Sequence, residues 1–389
     1  MLAILSPGQG AQQQGFLTPW LDLDLVRQSL SQASDAVGID LALAGSVMSD
    51  TDITDTAIAQ PLIVAASLAT ASCLGPSPDR IVVAGHSVGE FAAAAIAGAI
   101  GADAALQLVS VRGAAMAAAS SDPAGGMVAI LGGDPVDVRR TIEACGCVIA
   151  NHNAAGQVVA AGDQPALDRL LASPPLRARL RVLAVAGAFH SPLMSPARDA
   201  IAVAAGRVTP THPRHALVSN ADGTVVTNGA EALSRLVSQV CSPVRWDLCM
   251  RTLSSMGVTA AIELAPAGTL TALIRRELPD VEVLALRTPD DLADAESLII
   301  EHSAELVEAA PPWQLVVAPA RGTATVGPPH PDRTVAAGEI VVQVRTRTEA
   351  LDVRSERAGH VVEWLVHDGD PVSEGQPLAR IVEAASTSA

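Results

Sequence analysis

The chain contains no lysine, because all 25 residues of its Lys+Arg total are arginine. That excludes a lysine Schiff base and every prosthetic group joined to a lysine amine. Tyrosine is also missing, and aromatic residues make up only 2% of the sequence. A core with so few rings must pack helices closely on alanine. The five cysteines, Cys73, Cys145, Cys147, Cys241 and Cys249, are odd in number and form no Cys-x-x-Cys pair. They indicate neither a disulfide framework nor a thiolate metal site, and they suit a reducing compartment. Charge is sparse at 17% of residues and lopsided at a formal net of -16, which argues against a nucleic-acid binder. An acidic partner would need a local basic patch. No basic residue precedes Arg27, and the longest apolar stretch, Phe91 to Ala102, is about half of the ~20 residues that a membrane span requires. The expectation is a cytoplasmic protein with no membrane segment, no metal and no bound cofactor.

What is present is hydrophobic content of 49% over 389 residues, enough for one large core and a small second one. Runs that are apolar throughout, Leu2 to Leu5, Ile81 to Ala84, Ala216 to Val218 and Ala260 to Leu264, alternate with helix-length segments. This pattern predicts an α/β domain whose mostly parallel sheet is covered on both faces, with ligands at the carboxyl ends of the strands. Between Gly125 and Ala186 the pattern shifts to short strands, among them Val182 to Val185, with helices around 135–145 and 164–175. A small α+β subdomain at 125–186 is expected inside a core of 1–124 and 187–309, closed by a helix over Asp290 to Ala309. After a proline-rich stretch, short strands such as Glu339 to Val344 predict an all-β domain at 313–385.

Gly85-His86-Ser87-Val88-Gly89 lies directly between the strand ending at Ala84 and an Ala-rich helix. A G-x-S-x-G element in that setting lifts a serine hydroxyl out of the sheet on a strained turn. Serine is a poor nucleophile until a base takes its proton, and His190, in Ala188 to Met194 at the end of the expected strand Val182 to Val185, is the candidate. His86 reads as a packing residue of the turn. An oxyanion formed at Ser87 could be held by the amide of Val88 and by a donor of the glycine-flanked loop Pro7-Gly8-Gln9-Gly10. Leu108, Arg112 and Met116 fall at i, i+4 and i+8, which sets a guanidinium on an apolar helix face. A buried unpaired charge is costly, so Arg112 should meet a carboxylate, either internal or on a substrate.

Taken together these residues resemble the malonyl-coenzyme A:acyl-carrier-protein transacylase family, which includes the acyltransferase domains of polyketide synthases. The match runs from about residue 2 to 285 and includes, in order, Pro7 to Gln12, Gln60-Pro61, Gly85 to Glu90, Val111-Arg112-Gly113 with Met116, Asn153 with Gly156 to Val159, Gly187 to Met194, Asn220, and Gln239 with Pro243-Val244. Ala11 stands where the family usually has serine. The resemblance implies an α/β-hydrolase-like parallel-sheet core with an inserted ferredoxin-like subdomain. It also implies malonyl transfer from malonyl-CoA to an acyl-carrier protein by a ping-pong exchange, in fatty-acid or polyketide synthesis. Ser87 would carry the acyl group, His190 would act as base and acid, and Gln9 with Val88 would hold the oxyanion. Gln239 would orient the histidine through its backbone carbonyl, while Arg112, Met116, Asn153 and Phe189 would bind substrate, with Phe189 resembling malonyl-specific members. A serine hydrolase could use the same nucleophile and base, but Arg112 favours a dicarboxylate donor.

The C-terminal region resembles a biotinyl/lipoyl barrel, with Val316 to Thr323 and Val353 to Val361 as its pseudo-symmetric halves and Asp368-Gly369-Asp370-Pro371-Val372 through Gly375-Gln376-Pro377-Leu378 as its ending. Thr348 stands where that family displays its modified lysine, so attachment of biotin or lipoate is not expected, and a docking role is left for this domain. Carrier proteins of this pathway are acidic, and the adjacent Arg275 and Arg276 are the expected local patch for one.

Overall fold

The computed structural model describes residues 1–75, 81–120, 125–185, 187–303, 313–326, 333–355 and 358–383. The expected boundaries at 124, 186, 309 and 385 lie outside them, as do 304–309 of the expected closing helix and Glu356 and Arg357. The chain divides into two compact units, Met1–Ala304 and Glu305–Ala389.

The first unit is a mixed α/β fold built on a six-stranded sheet. Its strands are β1 (Leu2–Ser6), β2 (Ile81–Gly85), β7 (Ala216–Val218), β8 (Val225–Val226), β9 (Ala260–Glu263) and β10 (Glu282–Ala285), in the order β10-β9-β1-β2-β7-β8. All pairings are parallel except that of β7 with β8. Alternation along each strand feeds two cores. Leu2, Ile4, Val83, Leu217 and Ile262 pack with the helices Thr56–Ser72, Gly89–Ile96 and Ala102–Ala119 on one face. Ala3, Leu5, Val82, Ala84 and Ala261 meet the helices Trp246–Ser255 and Thr269–Glu277 on the other. Burial on both faces is why these strands read as uninterrupted apolar runs. β8 and β10 escape the sequence pattern because one is two residues long and the other is only half-buried.

Between β2 and β7 the chain builds a second, antiparallel sheet from β3 (Gly125–Gly132), β4 (Val148–Ala154), β5 (Gln157–Asp163) and β6 (Ala178–Val182), in the order β4-β5-β3-β6. Two helices, Pro135–Ala144 and Gln164–Ala172, are capped by the Asp134 and Asp163 carboxylates and cover one face. The last strand lies earlier than the apolar run Val182 to Val185 suggested. At Ala178–Val182 the edge strand alternates exposed arginines with half-buried residues, so it carries no apolar run to find. β4 is tied to the first sheet's connections by His152 N–H donating to Val244 O at 2.9 Å and Val244 N–H to Ala150 O at 2.8 Å.

The second unit has two four-stranded antiparallel sheets around an apolar core of Val316, Val342, Val344, Val361, Leu378 and Ile381. β11 (Trp313–Val317), β18 (Pro377–Glu383), β16 (Gly359–Trp364) and β13 (Arg333–Val335) form one, in that order. β15 (Ala350–Arg354), β14 (Ile340–Arg345), β12 (Gly322–Val326) and β17 (Pro371–Val372) form the other. Thr348 sits exposed in the β14–β15 turn, which is closed by Thr346 N–H donating to Glu349 O at 2.8 Å.

The helix Thr269–Glu277 borders the site described below, and a buried carboxylate fixes its start. Glu263, at the end of β9, accepts from the amides of Gly268, Leu270 and Thr271 and from the Thr271 hydroxyl, all at 2.8–2.9 Å. Replacing Glu263 with alanine strands three amides away from water. The Glu263→Ala variant should lose about 3 kcal/mol of stability, read as a lower urea midpoint with an unchanged slope.

Candidate active site

Ser87 occupies the turn between β2 and the helix Gly89–Ile96, with φ at 53°, in the left-handed region that disfavours a side chain. Packing enforces the turn. A Cβ on Gly85 would come within 2.1 Å of Gly89 O, and one on Gly89 within 2.2 Å of Ser6 O, so the glycines let β1, β2 and the helix close together. Asn220 locks the same turn by accepting from Ser87 N–H at 2.8 Å and donating to Gly85 O at 2.7 Å. A residue held against its backbone preference by its surroundings is a common mark of a reactive site.

His190 lies not at a strand end but in the loop eight residues beyond β6, also at positive φ, 56°. Its Nε2 is 2.7 Å from Ser87 Oγ. Its Nδ1 faces two carbonyl oxygens, Gln239 O at 2.9 Å and Ser242 O at 3.2 Å. Carbonyls only accept, so the proton sits on Nδ1 and Nε2 is left as acceptor for the serine hydroxyl. The two carbonyls converge because the short 3-10 helix Gln239–Cys241 sets residues three apart on one side. Ser242 is absent from the sequence-level candidates, and only this turn geometry reveals it. Burial first, and then the Arg112 charge, push His190 down to about 3.

Arg112 and Met116 line the inward face of the helix Ala102–Ala119, and each is 1% exposed. The carboxylate expected beside Arg112 is not its direct partner. Nη1 donates to Gln60 Oε1 at 2.7 Å and Nη2 to Gln239 Oε1 at 3.1 Å and to Ser87 Oγ at 3.5 Å, while Nε is buried with no hydrogen-bond partner among the described residues. The nearest acid in this network, Glu90, is reached through Gln239, whose Nε2 donates to Glu90 Oε2 and to Ser87 O. Burial lowers Arg112 to about 10, partly opposed by Glu90, which still leaves it a cation. Burial likewise pushes the Glu90 carboxyl up, against the donors Asn220 and Gln239. Gln60, Glu90 and Asn220 fall in matched segments of the sequence, but their partnership with Arg112 and Ser87 is visible only in three dimensions.

A cavity of about 430 Å³ opens onto Ser87 and His190. Gln9, Arg112, Met116, Asn153 and Phe189 all line it, together with Met127, Val159, Leu183 and Val185, which the sequence reading did not select. Gln9 spends its side-chain amide on Thr54 O and Thr56 Oγ1, each at 3.3 Å. Its backbone N–H and that of Val88 carry no hydrogen bond among the described residues. Asn153 holds the ring of His86, Oδ1 to Nε2 at 2.9 Å, and His86 also meets Trp246 edge-on. The structure thus brings the candidate residues to one cavity, except that Val88 and Gln239 are not part of its lining, Gln239 instead meeting Arg112. A serine hydroxyl facing an imidazole nitrogen that accepts, unpaired amides and a buried cation are groups that can support acyl transfer from an anionic acyl donor.

Residues 5–297 match the acyl transferase domain family. Over 303 residues the chain is 48% identical to the malonyl CoA-acyl carrier protein transacylase of Mycobacterium tuberculosis, covering 77% of this chain and 100% of that protein. It is 33% identical over 307 residues to the Escherichia coli protein of the same name, covering 76% and 99%. The crystal structure of the Mycobacterium tuberculosis protein superposes with a TM-score of 0.73 at 48% identity, covering 76% of this chain and 99% of that one. A malonyl-transacylase solved in complex with its type II polyketide synthase acyl-carrier protein gives 0.70 at 31% identity, covering 76% and 99%.

A base works only when unprotonated, so activity falls as pH drops through its pKa. With His190 held far below the ordinary imidazole value, kcat/KM for acylation of Ser87 by an activated ester should stay level as pH falls through about 6.5. A stopped-flow profile with its half-point near that value would show an unperturbed base.

Proposed function

The chain belongs to the acyl transferase family, and on that footing we propose how it moves a malonyl group from coenzyme A to the phosphopantetheine thiol of an acyl-carrier protein: through an ester on Ser87, in two exchanges served by one base. The observation that carries this reading is Ser87 Oγ at 2.7 Å from a His190 nitrogen that can only accept. His190 takes the hydroxyl proton as Oγ attacks the thioester carbonyl, and the amides of Gln9 and Val88 receive the oxyanion. Collapse breaks the C–S bond, and His190 returns the proton to the departing thiolate. In the second exchange the carrier's thiol gives its proton to His190 and attacks the Ser87 ester. The proton then goes back to Ser87, so the enzyme is regenerated.

Arg112 binds the malonyl carboxylate through Nη2, which lies 3.5 Å from Ser87 Oγ on the cavity side. The same contact tunes the base. Arg112 helps hold His190 low in the empty site, and a bound carboxylate offsets that charge, so a dicarboxylate donor raises the basicity of His190 as it binds. Met116 and Phe189 bound the acyl pocket, and Asn153, fixed by His86, belongs to its wall.

The finer reading of the architecture is part of this proposal. The first unit is an α/β-hydrolase-like core at 1–124 and 187–309 with a ferredoxin-like insert at 125–186, supported by the strand order of each sheet. The second, at 313–385, is a biotinyl/lipoyl-like barrel without the lysine, serving as a docking module and carrying no cofactor. The protein is cytoplasmic. Among the described residues no helix is long and apolar enough to cross a membrane.

Intact mass spectrometry tests the intermediate. Incubation with malonyl-CoA should add one malonyl group to the wild type and none to Ser87→Ala, and His190→Ala should transfer roughly a thousand-fold more slowly or worse. An adduct on Ser87→Ala would overturn the assignment. Arg112→Ala should lose its preference for malonyl over acetyl donors, a contact of about 1.5–3 kcal/mol, in competition assays with both thioesters. An undiminished preference would assign Arg112 a purely structural part.

A further inference from the structure

The cavity mouth has the helix Thr269–Glu277 on one side and the second sheet of the first unit on the other. β6 is that sheet's outer strand. Its Ala178 and Leu180 pack with Ile130 and Leu170 beneath the two covering helices. Strand alternation therefore turns Arg179 and Arg181 to the opposite face, where Met127, Gln157 and Val159 line the cavity. Register fixes their neighbours: Arg181 opposes Ala129, Arg179 opposes Leu131, and Leu131 in turn opposes Gln157. Two strand spacings, roughly 10 Å, separate the Arg179 and Gln157 backbones. Across the mouth, Arg276 Nη1 donates to Gln157 Oε1 at 2.9 Å. Arg179, Leu131, Gln157 and Arg276 thus form one continuous rim.

Position and pairing together single out Arg179 and Arg181, since other exposed arginines also lack a carboxylate but none of those lies on the cavity face of β6. Arg27, Arg140, Arg198, Arg235 and Arg354 each hold a nearby carboxylate. The exposed side chains of Arg179 and Arg181 have neither ion pair nor hydrogen bond among the described residues. The pair expected from sequence is more engaged: Arg276 is bound to Glu277 and Gln157, and Arg275 donates to Val283 O at 3.3 Å. In a chain of net charge -16, two unpaired cations beside a 40% exposed leucine form a local surface of the wrong sign for the whole and the right sign for an anionic partner.

We propose that this rim, extended along β6 from Arg179 to Arg181, is the docking surface for the acyl-carrier protein, a proposal that rests on the malonyl-transfer reading above. The carrier delivers its thiol on an arm that begins at a phosphodiester. When the thiol reaches Ser87, that anion and the acidic surface around it must stay outside the cavity, where the two guanidinium groups receive them. Leu131 supplies the apolar contact at the centre.

The test uses the full chain with Arg179→Glu and Arg181→Glu combined, and varies carrier protein and malonyl-CoA separately in steady state while Ser87 loading is followed by intact mass. The expected result is a KM for carrier protein raised roughly ten-fold or more, with a weaker salt dependence. The rate of malonyl loading and the KM for malonyl-CoA stay unchanged. The double lysine variant, Arg179→Lys with Arg181→Lys, keeps most of the carrier affinity. An unchanged carrier KM overturns the proposal. An equal rise in the KM for malonyl-CoA also overturns it, by assigning the arginines to the nucleotide phosphates, and so does a parallel loss of both activities with a lowered melting temperature. A wild-type enzyme that loads no malonyl group would instead overturn the transfer reading itself, and this surface with it.

Discussion

A guanidinium buried without a carboxylate against it is the constraint around which the site is organised. Arg112 is 1% exposed, stays cationic, and is met by two carboxamide oxygens rather than an acid. Amide oxygens orient the fork but do not neutralise it, so the charge remains available, at an energetic disadvantage that an anion in the cavity relieves. Three separate parts of the fold hold this state: the helix Ala102–Ala119 carries the arginine, the neighbouring helix Thr56–Ser72 brings Gln60, and Gln239 reaches in from beyond β8. Each packs on small residues, which lets the helices stand close enough for the carboxamides to reach.

Gln239 is the junction. Its side chain links Arg112 to Glu90 and to the backbone of Ser87, while its own carbonyl receives the Nδ1 proton of His190. Arg112, Ser87 and His190 are therefore all positioned by contacts to one residue. The absence of a carboxylate from the histidine's partners follows the same logic. An acid at that place would repel an anionic donor and compete for Arg112, whereas two carbonyls fix the tautomer without adding charge. The consequence is a weak base in the empty site, one that strengthens as the cation beside it is answered.

The sequence displayed the parts of this arrangement whose cause is local. The apolar runs were legible because both sheet faces are covered, and Ser87 was legible because its strained turn requires glycines on either side. Arg112 stood out as a charge on an apolar helix stripe. The rest depends on contacts between distant segments. Ser242 reaches His190 only through a short 3-10 turn, and the hydrogen bond that ties Glu90 into the network comes from Gln239, 149 residues away. β6 was displaced in the sequence reading because an edge strand with alternating arginines has no apolar run. The same alternation is what leaves Arg179 and Arg181 unpaired on the cavity side of the sheet.

The account turns on Arg112 acting on the donor's carboxylate while the protein stays intact. The most direct measurement is therefore made on the wild type, with the substrate altered. The second-order rate constant for acylation of Ser87 is compared between malonyl-CoA and its neutral methyl ester, which keeps the thioester and nearly the same shape. The account predicts that the ester reacts roughly ten- to a hundred-fold more slowly, the kinetic equivalent of one lost charge-assisted contact. Equal rate constants would contradict it, since the buried cation would then contribute nothing to recognition or to the base.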